Sequence, residues 1–235
     1  MRRRDFLGSC ALLSGLAPLA QAAAAGDGVE VRRYARARLI DVHGAPIRQA
    51  AIAAETNYVF QYPYTATPCF LLRLAKPVTA QPALHREQGD RYVAPGGSGP
   101  AHDLVAFSAI CAHKLAYPTR DVSFIRYQRQ RSATSSGKVI HCCADHSVYD
   151  PAAGARVVAG PAPQPLASIA LEHDAARDEV YALGTIGPEQ FEPFFEKYAM
   201  KLSLEYGSVE RARVAVADTT VVRELTAYCR NTISC

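Results

Sequence analysis

Excess charge of either sign is missing from this chain: 26 Lys and Arg stand against 22 Asp and Glu, a formal net charge of +4. Three arginines and one aspartate fall in the first 25 residues, which leaves +2 for the rest. So even a balance lacks the concentrated basic face that nucleic-acid binding requires, and the local run from Arg126 to Arg131 reads as a solvated loop. Internal repeats are absent, as are low-complexity tracts beyond an alanine-rich stretch near the start. With 20% charged and 49% hydrophobic residues the composition excludes wholesale disorder. At 235 residues it also excludes two large independent cores.

Long apolar runs are scarce too. The longest, from Gly8 to Ala20, contains Ser9, Gly15 and Pro18 and is a poor permanent membrane helix. Preceded by Arg2-Arg3-Arg4 and followed by small-x-small sites at Ala20-Gln21-Ala22 and Ala22-Ala23-Ala24, residues 1–25 read as a cleaved export label outside the fold. Arg3-Arg4-Asp5-Phe6-Leu7 resembles the twin-arginine export signal, whose passengers cross the membrane folded and often loaded with a cofactor. A periplasmic location follows as the expectation, with membrane association if the leader stays attached.

Residues 29–74 are rich in β-branched and aromatic residues separated by turn signals and read as strands. Pro, Gly and polar residues mark 77–103 as a loop. Strand-like runs resume at 104–110, 122–127, 138–141, 166–171 and 179–183. One helix is expected next, because Phe191, Phe194, Phe195, Tyr198 and Leu202 share a face of a 3.6-residue period, with Gly207 as its stop. Residues 209–217 and 219–228 look extended.

Two segments carry chemistry: Cys111-Ala-His113 and, 29 intervening residues later, Cys143-Ala-Asp-His146. Each pairs a soft thiolate with an imidazole. With Ser147-Val-Tyr149-Asp150-Pro151, Gly154 and Gly160-Pro161-Ala162-Pro163 downstream, these boxes resemble the Rieske [2Fe-2S] proteins of cytochrome bc complexes and arsenite-oxidase small subunits over about residues 104–183. The resemblance implies an all-β fold: an antiparallel β-sandwich (26–186) with a small cluster-binding subdomain from 109–120 and 141–163, and a C-terminal α/β extension (187–235) as the candidate partner-docking segment. It implies a cluster with Cys111 and Cys143 on the inner iron, His113 and His146 on the outer one, and Ser147 and Tyr149 donating hydrogen bonds that raise its potential. The function implied is one-electron transfer, not stand-alone catalysis. The partners implied are a c-type cytochrome or other redox subunit, or a quinol-oxidising membrane complex.

The chain departs from the family in several places. The second cysteine of each family box, which forms a loop-to-loop disulfide, is replaced by Ala116 and Asp145, and the gap between boxes is lengthened, with 128–137 as the inserted stretch. Counting back from Ser147 without a gap would instead put Cys142 at the ligand cysteine and Asp145 at the ligand histidine; Cys143 and His146 keep Cys-x-x-His intact at the cost of one deleted residue. Cys69, Cys142, Cys229 and Cys235 then remain, and the pairings expected in an oxidising compartment are Cys229 with Cys235 and Cys69 with Cys142. Rival readings are a small subunit of a larger periplasmic oxidoreductase, a zinc site with the same ligand types, or a module that keeps the fold without the cluster. His43, His85, His102, His141 and His173 show no 2-His-1-carboxylate grouping, which disfavours an oxygenase.

Overall fold

The computed structural model describes residues 29–235; the expected export label at 1–25 lies outside the described residues. The chain opens with β1 (Arg32–Ile40), buried mainly in its second half, and an antiparallel hairpin of β2 (Tyr58–Gln61) and β3 (Pro68–Arg73). The stretch expected as uninterrupted loop at 77–103 holds a short hairpin, β4 (Ala83–His85) with β5 (Arg91–Val93). Leu84 and Tyr92, directly opposite in register, bury against Ala94 and Ile186, and that shared contact holds two strands too polar to read as strands.

Five consecutive buried residues form β6 (Leu104–Ser108), the signature of a central strand covered on both faces. Then come β7 (Val122–Ser123), β8 (Ile125–Gln128), β9 (Val139–Cys142), β10 (Ser147–Asp150), β11 (Arg156–Ala159), β12 (Ser168–Asp174) and β13 (Glu179–Ile186). The C-terminal part carries α1 (Phe191–Lys197), α2 (Ala199–Tyr206), α3 (Val209–Ala212), β14 (Asp218–Val221), β15 (Arg223–Glu224), α4 (Leu225–Tyr228) and β16 (Asn231–Thr232). The expected single helix therefore breaks at Tyr198, where φ −105° and ψ 15° leave the helical region, and parts of the expected extended stretches coil into α3 and α4.

An eight-stranded sheet in the order β14-β1-β13-β12-β6-β3-β2-β15 dominates the all-β architecture. Its pairings are antiparallel except β14, which runs parallel to β1. The sheet curls until its two ends meet, with Thr220 Oγ1 of β14 donating to the Gln61 carbonyl of β2 at 2.8 Å. Leu39, Phe60, Leu71, Leu104 and Val180 fill the inside of the curl. The opposite faces of β2, β3 and β6 present Val59, Phe70, Leu72, Val105 and Phe107 to a separate four-stranded sheet, β11-β10-β9-β8, which answers with Ile125, Tyr127, Ile140, Cys142 and Tyr149. Two sheets thus share an apolar layer, and the loops at its edge carry both sequence boxes.

Residues 187–235 are built into this frame: β14 and β15 extend the large sheet at its two ends and β16 runs parallel to β7. The helical face does what its period indicates, since Phe191, Phe194, Phe195 and Leu202 are buried. Phe194 meets Tyr117 edge-on at 4.9 Å between ring centres, which ties the helix to the loop that follows the first box. Truncation of this fully buried ring, Phe194→Ala, is expected to cost about 3–5 kcal/mol in urea denaturation, whereas Met200→Ala at an exposed position stays within about 0.5 kcal/mol.

Candidate functional site

The first box sits in the connection from β6 to β7. The Cys111 N–H donates to the Ala116 carbonyl (2.8 Å) and the Leu115 N–H to the Cys111 carbonyl (3.0 Å), so residues 111–116 close on themselves. Leu115 takes φ +62°, the left-handed conformation that completes the turn. The second box is the β9–β10 hairpin loop, closed by the His146 N–H donating to the Cys142 carbonyl (2.7 Å), with Cys142 opposite Ser147 in register. His146, at φ +59°, makes the corresponding left-handed turn. Gly160 lies directly over this loop: a Cβ there would collide with the His146 carbonyl and Ser147 Cα. The turn that follows places Pro161 and Pro163 beside Ala112, His113 and Leu115 in a shallow surface cleft.

Between the loops, the Cys111 and Cys142 sulfurs and an Asp145 carboxylate oxygen lie within 4.8 Å of one another. The His113 Nδ1 is 3.1 Å from Asp145 Oδ2, which is itself 3.5 Å from Cys111 Sγ. Two thiols, one imidazole and one carboxylate therefore converge, a pair from each loop. Tyr149 Oη is 3.2 Å from Cys111 Sγ and accepts from the Ala112 N–H at 3.1 Å. The phenol keeps its proton and can donate it to the sulfur. Ser147 Oγ is buried and has no hydrogen-bond partner among the described residues, an orphaned donor opposite Cys142 of the kind an acceptor group seated between the loops would satisfy.

Electrostatics favour an anionic site. A hydrogen bond from the Cys142 thiol, opposed by burial and aided by the Tyr149 hydroxyl, brings the Cys111 thiol down to about 7. The Cys142 thiol is pushed up because it shares a proton with Cys111 and is buried. Burial works against ionisation of Asp145, yet the Ser147 N–H and the His113 ring outweigh it and hold the carboxyl below the usual carboxylate range. Burial and then the neighbouring Cys111 raise the Tyr149 phenol, which keeps its proton.

The structure brings Cys111, His113 and Tyr149 together with Ser147 beside them, and neither Cys143 nor His146 joins them. The Cys143 sulfur is bonded to Cys235, across a Cα separation of 5.6 Å ordinary for a disulfide. The His146 ring faces His141, with ring centres 5.6 Å apart. Cys142 and Asp145 occupy the places expected of them, and the two-cysteine, two-histidine set is not assembled. Counting back from Ser147 without a gap is the signal that finds both residues. The expected pairings of Cys229 with Cys235 and of Cys69 with Cys142 are corrected as well. β16 and the Ile233 N–H, which donates to the Ser123 carbonyl at 2.9 Å, carry the chain end past Cys229 to the second loop. Cys69 lies inside the curled sheet and Cys142 in the layer between the sheets, and both are free thiols with Cys111 and Cys229.

No family model matches the chain. Among solved structures, the chain is similar to the soluble domain of the Rieske protein II (soxF) from Sulfolobus acidocaldarius, with 26% sequence identity and a TM-score of 0.45 over 65% of this chain and 78% of that one.

Proposed function

We propose that this protein transfers single electrons through a [2Fe-2S] cluster held by Cys111 and Cys142 on one iron and by His113 and Asp145 on the other. The convergence of these four donors from two separate loops is the observation that carries the reading. Such a cluster, when bound, supplies a one-electron couple whose potential is set by ligand charge and by hydrogen bonds to sulfur. The protein does the rest. Tyr149 can donate its proton to the Cys111 sulfur, Ser147 offers a hydroxyl that has no other partner among the described residues, and the layer between the sheets keeps water from both cysteines. His113 is partly exposed in the cleft with Pro161, Pro163 and Gln190, and this is the natural exit for an electron. An exported protein of this kind would serve a c-type cytochrome or the large subunit of a periplasmic oxidoreductase.

A carboxylate in place of the second imidazole makes the site one charge more negative than a two-histidine set and so lowers the potential relative to it. It also makes zinc a specific competitor, because two thiolates, one imidazole and one carboxylate are equally a zinc ligand set.

Three measurements test the cluster and its ligands. Anaerobically purified protein is expected to contain two irons and two sulfides and to give an EPR signal when reduced; one zinc per chain with no sulfide, lost in Cys111→Ser, would establish the zinc reading instead. Cys142→Ser is expected to abolish the EPR signal while Cys143→Ser preserves it, and the reverse pattern would move the ligand assignment to Cys143. In protein that retains the cluster, Asp145→His should raise the reduction potential measured by voltammetry, and an unchanged potential would remove Asp145 from the ligand set.

A further inference from the structure

Beside the four-donor site, on the other face of the β9–β10 hairpin, lies a second group of soft ligands. His141, in β9, is fully buried, and neither of its ring nitrogens has a hydrogen-bond partner among the described residues. Two unsatisfied nitrogens in a buried ring are costly, because each has given up its hydrogen bonds to water without gaining a partner. One nitrogen of His141, one of His146 and the Cys235 sulfur lie within 4.8 Å of one another, and Cys143 is bonded to that same sulfur.

We propose that His141, Cys143, His146 and Cys235 form a second metal site, a two-thiolate, two-imidazole site for zinc that the disulfide closes and a dithiol reductant opens. In the opening step the dithiol gives two electrons and two protons to the Cys143–Cys235 bond and becomes a disulfide itself, leaving two thiols. Binding of one zinc ion then displaces their two protons. Three of the donors belong to one hairpin, at His141-x-Cys143-x-x-His146, and the fourth arrives on the C-terminal strand. Four protein ligands with no place for water are the pattern of a structural zinc centre. Zinc would satisfy a His141 nitrogen that the disulfide form leaves bare. None of these residues belongs to the four-donor set, so the proposal does not rest on the [2Fe-2S] reading.

The test is the zinc content of the full-length protein, dialysed after exposure to excess zinc, with and without prior reduction and with thiols counted in parallel. Reduction is expected to add one equivalent of zinc to the wild type, and to add none to Cys235→Ser or His146→Ala once circular dichroism shows both folded. The additional equivalent should persist in Cys111→Ser, which separates it from metal held between the two loops. Should that variant fail to fold, the comparison of wild type with Cys235→Ser decides alone. Reduction that frees Cys143 and Cys235 without raising the zinc content would overturn the proposal, as would an added equivalent that survives in His146→Ala.

Discussion

The hydrogen bond from the His146 N–H to the Cys142 carbonyl closes the β9–β10 hairpin and sets Cys142 opposite Ser147 in register. Side chains alternate along a strand with period two, so this register sends Ile140 and Cys142 into the layer between the sheets and His141 to the other face. Shifting the pairing by one residue would exchange the two faces. The loop continues the division: Asp145 turns toward Cys111 and His113, while Cys143 and His146 turn toward Cys235 and His141. One backbone register thereby sorts five side chains of the hairpin, His141, Cys142, Cys143, Asp145 and His146, into two groups.

The C-terminal segment shapes both groups without belonging to the first. Its aromatic helix face packs through Phe194 on Tyr117 and so steadies the loop that carries Cys111 and His113. Its last strand runs beside β7 and delivers Cys235 to Cys143. A covalent tether from the chain end thus fixes the second loop, at a place where the two loops have no disulfide of their own. Closing a loop of this length, with the cysteines 92 positions apart, removes chain entropy from the unfolded state worth about 4.6 kcal/mol by the loop-closure relation.

Much of this was legible in the residues. Runs of β-branched and aromatic residues between turn signals located most strands of the large sheet, and the spacing of Phe191, Phe194, Phe195 and Leu202 located the buried helical face even though the helix breaks at Tyr198. The small hairpin around Leu84 and Tyr92 was not legible, because what holds it is Ile186, about a hundred residues further along the chain. The first box was plain, since Cys111 and His113 sit in a turn closed by their own neighbours.

By itself the sequence determined which two segments hold closely spaced cysteine and histidine and the all-β frame, because these depend on local spacing and on runs of β-branched and aromatic residues. Only the tertiary structure decided that Cys142 and Asp145, and not Cys143 and His146, face the first box, and that Cys143 is bonded to Cys235. Adjacent cysteines followed at equal spacing by Asp145 and by His146 are equivalent as text. What separates them is hairpin register and the arrival of a strand from the far end of the chain, two long-range facts that local spacing does not encode.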